Sequence, residues 1–160
     1  MRIGIGHDTH RLEAGRKLIL GGITFDYPRG LVGHSDADIV LHALTDAILG
    51  AAGLGDIGDA FPDTDVTNKD LDSALFLKHS LAQIATLGWQ LINVDVIIFA
   101  QEPKLGLGKF RIRDNLAFLL ALDCTCVNIK AKTGEKVGFI GRAEAMSCQA
   151  VVLLGRSESA

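Results

Sequence analysis

The chain has 160 residues, 48% of them hydrophobic and 22% charged, which is room for one real core and too little for two, so residues 1–160 are read as a single domain. A net charge of −3 offers no broad attraction for nucleic acid or an anionic membrane, and no apolar run reaches the length of a membrane span. So apolar a composition in so short a chain predicts a buried subunit interface, hence a homo-oligomer.

Met1 to Arg11 reads as a strand. Successive side chains on a strand point to opposite faces, so Asp8 and His10 share one face with the bare Gly4 and Gly6. Lys17–Leu20 and Ile23–Tyr27 read as a hairpin closed at Gly21-Gly22, and Pro28-Arg29-Gly30 breaks the pattern. Ser35 or Asp36 can cap a helix running to about Ala52, because Ile39/Val40, Ala43/Leu44 and Ala47/Ile48 recur at helical spacing; this helix carries His42.

Leu54 to Asp65, dense in Gly, Pro and Asp, reads as an ordered loop with a short helical turn. Asp70–Leu87 is a second helix capped at Gly88, Gln90–Ala100 a strand, Lys109–Leu122 a third helix, Cys126–Thr133 a strand and Ala143–Leu154 a final apolar β-leaning segment. Strands alternating with helices predict an α/β (α+β) layered domain, its helices covering one face of a mixed β-sheet. The odd set Cys124, Cys126 and Cys148, without C-x-x-C spacing, reads as reduced thiols buried as small apolar residues. With no signal or transit composition at its start, the chain is expected in the cytoplasm, or in a plastid stroma if already processed.

Asp8, His10 and His42 form a two-histidine, one-carboxylate set, the arrangement of a catalytic zinc with an open position. The same set matches the facial triad of non-haem iron enzymes, and manganese and cobalt stay open. Metal-bound histidines normally donate their second nitrogen to an acceptor; Asp46, ahead of Asp38, is the expected orienting partner of His42, four residues away on the helix. His34-Ser35, at the expected helix N-terminus, suits an anion. Lys132-Thr133-Gly134-Glu135 combines a cation, a hydroxyl, bare backbone and a carboxylate, a station for phosphate and Mg²⁺. Asp56, Asp63 and Asp65 can accept from sugar hydroxyls beside the permissive Gly58. Ala100 to Gly106, bending at Pro103, offers backbone to a base edge.

Taken together, Gly4-Ile5-Gly6-His7-Asp8-Thr9-His10-Arg11, His34-Ser35-Asp36, Leu41-His42-Ala43-Leu44-Thr45-Asp46-Ala47, Gly55-Asp56-Ile57-Gly58, Phe61-Pro62-Asp63-Thr64-Asp65, Asn93-Val94-Asp95 and Gly138-Phe139-Ile140-Gly141-Arg142 resemble the 2-C-methyl-D-erythritol 2,4-cyclodiphosphate synthase family along the whole chain. The resemblance implies a homotrimer with sheets around a central channel and active sites between subunits. It implies that 4-diphosphocytidyl-2-C-methyl-D-erythritol 2-phosphate is cyclised with release of CMP. Asp8, His10 and His42 would be the Zn²⁺ ligands, and Glu135 the contact to Mg²⁺ or Mn²⁺ on the substrate diphosphate. His34 and Thr133 would stabilise the transition state, and Ser35 would hold the attacking phosphate. The substrate set would comprise Asp56, Ile57, Gly58, Phe61, Asp63 and Asp65 for the ribose and erythritol groups. Ala100, Pro103, Lys104, Leu105, Gly106 and Lys132 would take the cytidine side. Phe139 and Arg142 would line the channel, where an isoprenoid diphosphate can sit. Gly134 stands where the family often has a hydroxyl or amide residue.

Overall fold

A computed structural model describes residues 1–33, 35–61 and 71–157. His34, Asp63 and Asp65 lie outside the described residues. In chain order the elements are β1 (Arg2–Ala14), β2 (Leu18–Leu20), β3 (Ile23–Phe25), β4 (Arg29–Leu31), α1 (Ile39–Ala52), α2 (Ile57–Ala60), α3 (Ser73–Thr86), β5 (Trp89–Phe99), α4 (Gly108–Leu120), a 3₁₀ turn (Cys124–Cys126), β6 (Val127–Lys132), α5 (Gly138–Gly141) and β7 (Ala145–Arg156).

The main sheet is mixed and five-stranded, in the order β4-β1-β7-β5-β6. Only β5 and β6 run parallel, and the crossover that parallel pairing requires contains α4. The expected hairpin forms at Gly21-Gly22, but β2 and β3 pair apart from the main sheet as a ribbon of their own. Helices α1 and α4 lie on one face of the main sheet, with α3 packed along α1.

Alternation along β1 is as the sequence predicts. Gly4, Gly6, Asp8 and His10 turn toward α1, while Ile3 and Ile5 remain 74% and 68% exposed on the opposite face. The glycines are there for the helix. A Cβ on Gly4 would lie 1.9 Å from the Ala47 carbonyl oxygen, and one on Gly6 would lie 2.0 Å from that of Ala43. Bare backbone lets α1 settle directly on the strand, which sets the height of His42 above Asp8 and His10.

Helix α1 is apolar almost all round and buried accordingly, with Ile39, Leu41, Leu44 and Ile48 fully enclosed. Its N-cap is Asp38, not Ser35 or Asp36. The Asp38 carboxylate accepts from the N–H groups of Val40 and Leu41 at 3.0 and 3.2 Å, and from Gly21 and Gly22 in the hairpin turn at 2.8 and 2.6 Å. A tertiary contact with the hairpin therefore chooses the cap. Ala37, with a left-handed φ of 59°, separates Ser35-Asp36 from the helix. The Val40 and Leu41 amides of α1 are thus taken by a protein carboxylate, so an anion at Ser35 would not meet them.

The helical turn within the Leu54–Asp65 loop is α2, with Asp56 as N-cap in a capping box with Asp59. Cys148 is buried as expected, but Cys124 is exposed on the 3₁₀ turn, so the expectation of three buried thiols fails there.

Candidate active site

Asp8 and His10 on β1 meet His42 on α1. His10 Nε2 lies 3.0 Å and His42 Nδ1 2.9 Å from the same oxygen, Asp8 Oδ2. The other carboxylate oxygen accepts from the Thr9 N–H at 2.8 Å, which pins the carboxylate's rotation. The two imidazoles stand edge to face, their centroids 5.5 Å apart. One oxygen and two ring nitrogens within 4.8 Å of one another, half-buried, fit a divalent cation such as zinc.

Burial pushes the Asp8 carboxyl up, but the hydrogen bonds and charges of His10 and His42 outweigh it and hold the group well below the usual carboxylate range. His10 is raised from its ordinary 6.5 by its hydrogen bond to Asp8, against burial, with help from a backbone hydrogen bond at Val32. Asp8 and His10 thus each favour the other's charged form.

The far side of His42 departs from expectation. Asp46 accepts from the Ile57 N–H at 2.8 Å, tying α2 to α1, and Asp38 caps the helix. His42 Nε2 instead meets two hydroxyls, Ser73 Oγ at 2.9 Å and Ser35 Oγ at 3.0 Å. Ser73 was not singled out by its sequence context. Its only local signal is the N-cap pair Asp72-Ser73, since nothing in the spacing relates it to a histidine on another helix. An aromatic train extends the site: Phe76 lies 6.1 Å from the His42 ring, and Phe61 lies 4.5 Å from Phe76. Phe61 thereby joins the metal side of the site, as do Asp56, Ile57 and Gly58 through the Asp46 link.

A second cleft gathers parts of the Ala100–Gly106 and Lys132–Glu135 segments. Ala100, Pro103, Lys104, Leu105, Gly106, Lys132 and Thr133 line a cleft of about 290 Å³ where β5 and β6 end. Leu105 and Ala100 are buried, so backbone is what they can present. Thr133 Oγ1 donates to Glu135, and Gly134 is required by α5, because a Cβ there would lie 2.5 Å from the Gly141 amide nitrogen. Phe139 is half-exposed on α5, and the Arg142 guanidinium pairs with Glu144 at 2.8 Å.

One chain does not bring the two stations together. Thr9, Ser147, Phe99 and Lys132 share one row across β1, β7, β5 and β6, so the stations stand three strand spacings apart. That is about 14 Å between strand axes. Lys132 also falls on the open face of the sheet, whereas Asp8 and His10 face α1.

A model of the YgbB family matches residues 1–155. This chain belongs to the YgbB family. It is 53% identical over 156 residues, 98% of each chain, to the 2-C-methyl-D-erythritol 2,4-cyclodiphosphate synthase of Neisseria gonorrhoeae. The bifunctional IspDF of Campylobacter jejuni superposes with a TM-score of 0.94 at 44% identity over 98% of this chain, which spans 42% of that longer protein. The CDP complex of Plasmodium falciparum IspF superposes with a TM-score of 0.87 at 35% identity, covering 98% of this chain and 97% of that one. The family resemblance read from seven short motifs thus holds over nearly the full length.

Proposed function

We propose that this chain converts 4-diphosphocytidyl-2-C-methyl-D-erythritol 2-phosphate to 2-C-methyl-D-erythritol 2,4-cyclodiphosphate with release of CMP. The observation that carries this reading is 53% identity across 98% of both chains to a named synthase. An oxygen of the 2-phosphate attacks the β-phosphorus, one P–O bond forms, and the bond to CMP breaks. No water is consumed. Such a transfer asks for positioning and charge neutralisation and needs no protein nucleophile, in keeping with a site of carboxylate, imidazole and hydroxyl groups.

Asp8, His10 and His42 would hold Zn²⁺, and Glu135 would hold Mg²⁺ or Mn²⁺ on the substrate diphosphate. When bound, these cations supply Lewis-acid neutralisation of phosphate oxygens. Ser35 orients the attacking phosphate, and His34 and Thr133 donate to the charge that develops during transfer. Asp56 and Gly58 take the ribose and Asp63 the erythritol hydroxyls, with Ile57, Phe61 and Asp65 completing that wall. The backbone of Ala100 to Gly106, together with Lys132, takes the cytidine side.

The separation of the two stations within a chain favours a homotrimer in which the metal group of one copy faces the cytidine cleft of the next. The exposed Ile3, Ile5 and Val151 on the open sheet face supply apolar surface for that assembly. Phe139 and Arg142 would then line a central channel able to take an isoprenoid diphosphate. Among the described residues, no helix is long and apolar enough to cross a membrane. We place the reaction in the cytoplasm, or in the plastid stroma for a processed chain.

Phosphorus NMR of a turnover reaction tests the reading. Two coupled diphosphate signals and stoichiometric CMP are expected. Orthophosphate, a linear product, or solvent oxygen-18 in the product would identify a hydrolase and overturn it.

A further inference from the structure

Asp36 is enclosed by donors. Its Oδ1 accepts from the Asp38 N–H at 3.1 Å and from the Ser73 hydroxyl, and its Oδ2 accepts from the Ser73 N–H at 3.1 Å. A carboxylate only accepts, so the one hydroxyl hydrogen of Ser73 is committed to Asp36. Ser73 Oγ is also 2.9 Å from His42 Nε2 and 3.3 Å from Ser35 Oγ, and with its hydrogen used it can only accept from both. The 2.9 Å contact between Ser73 and His42 is a hydrogen bond when His42 Nε2 carries the hydrogen and Ser73 accepts it. His42 Nδ1, 2.9 Å from Asp8 Oδ2, is then the ring nitrogen turned to the candidate cation site.

We propose that Asp36 and Ser73 are positioning residues for His42: a relay in which His42 Nε2–H donates to Ser73 and Ser73 donates to Asp36, fixing the ring with Nδ1 turned to the Asp8–His10 group. This rests on reading that group as a cation site. Ser73 is fully buried as the first residue of α3, and α3 is joined to the approach of α1 by the Asp36 N–H donating to the Leu71 carbonyl at 3.3 Å. The relay therefore sits on a rigid junction between two helices, where a fixed ring orientation is worth most. Ser35 touches the same Nε2 but has no contact with Asp36 of its own among the hydrogen bonds of the described residues; its link runs through Ser73.

The test uses the full chain stripped of metal, with zinc titrated against a chromophoric chelator and metal-free thermal unfolding as the folding control. Ser73→Ala and Asp36→Asn are each expected to weaken zinc about 10- to 100-fold, the range for outer partners of metal-bound histidines. Asp36→Asn falls at the larger end, because an amide can donate to Ser73 and reverse the relay. The double variant should be no weaker than the worse single one, and Ser73→Thr, which keeps the hydroxyl, should bind as wild type does. Long-range ¹H–¹⁵N spectra of the His42 ring should show a hydrogen-bonded Nε2–H in wild type that exchanges faster with solvent in Ser73→Ala. An unchanged Nε2–H signal in Ser73→Ala, or zinc losses that add in the double variant and are not restored by Thr, would overturn the proposal in favour of simple packing. Zinc binding that survives His42→Ala would show that the cation-site reading has failed and would overturn the proposal with it, while the Nε2–H signal still reports whether the hydrogen-bond chain exists.

Discussion

His42 is gripped at both ends of its ring, by Asp8 through Nδ1 and by Ser73 and Ser35 through Nε2. The acidic end sets a pH dependence whose sign can be worked out. Asp8 is depressed from 3.8, so its contribution to stability is present above 3.8 and is lost as pH falls through the lowered value. His10 is raised from 6.5, so its contribution is full below 6.5 and is lost as pH rises through the raised value. The metal-free chain should therefore exceed an Asp8→Asn variant in Tm most clearly between those two ordinary values, with the gap narrowing above neutrality. Zinc must displace the His10 proton, so its affinity should fall on acidification below neutral pH, read by chelator competition. Affinity that rises on acidification would remove these groups from the site. At this scale Asp8, His10 and His42 were legible because strand alternation and residue chemistry are local. Ser73 was not, being 31 residues from His42, and the helix-spacing rule that pointed to Asp46 could not know that the Ile57 amide would claim it.

The contact between β1 and α1 is the element-scale device on which the site depends. Gly6→Ala places a methyl group 2.0 Å from the Ala43 carbonyl, so the helix must lift. A loss of about 3 kcal/mol in denaturant unfolding is expected, at the upper end for overpacking because the obstacle is backbone, together with weaker zinc binding. Gly50, exposed within the same helix, has open space around its missing Cβ; Gly50→Ala should raise stability by up to about 1 kcal/mol and leave zinc affinity unchanged. If both variants behaved alike, the close approach would not be what positions His42. Periodicity revealed these elements and most of their lengths. It misplaced the start of α1, because the hairpin turn at Gly21-Gly22 shares the Asp38 carboxylate and no local pattern encodes that contact.

For the whole molecule, the decisive feature is that one chain holds the Asp8–His10–His42 group and the cleft between Ala100 and Thr133 apart. The native mass should be three times 17.1 kDa by light scattering. Ile5→Asp combined with Val151→Asp, neighbours on the open face, should yield folded monomers without turnover. Mixing His42→Ala with Thr133→Ala chains, each inactive alone, should restore about one site in four by random reassortment, since a shared site can draw each intact half from a different copy. No recovery after subunit exchange would place both halves of the site within one chain.

From sequence alone came the α/β layering, the pairing of Asp8 and His10 on one strand face, the helix bearing His42 and the polar stations, because alternation, helical spacing and donor chemistry are properties of short segments. Tertiary structure alone decided which face of the sheet each station occupies, why Gly4 and Gly6 must be bare, and that Asp36 and Ser73 stand behind His42. Those depend on which backbone and which hydroxyl arrive from distant parts of the chain, and packing, not local pattern, brings them there.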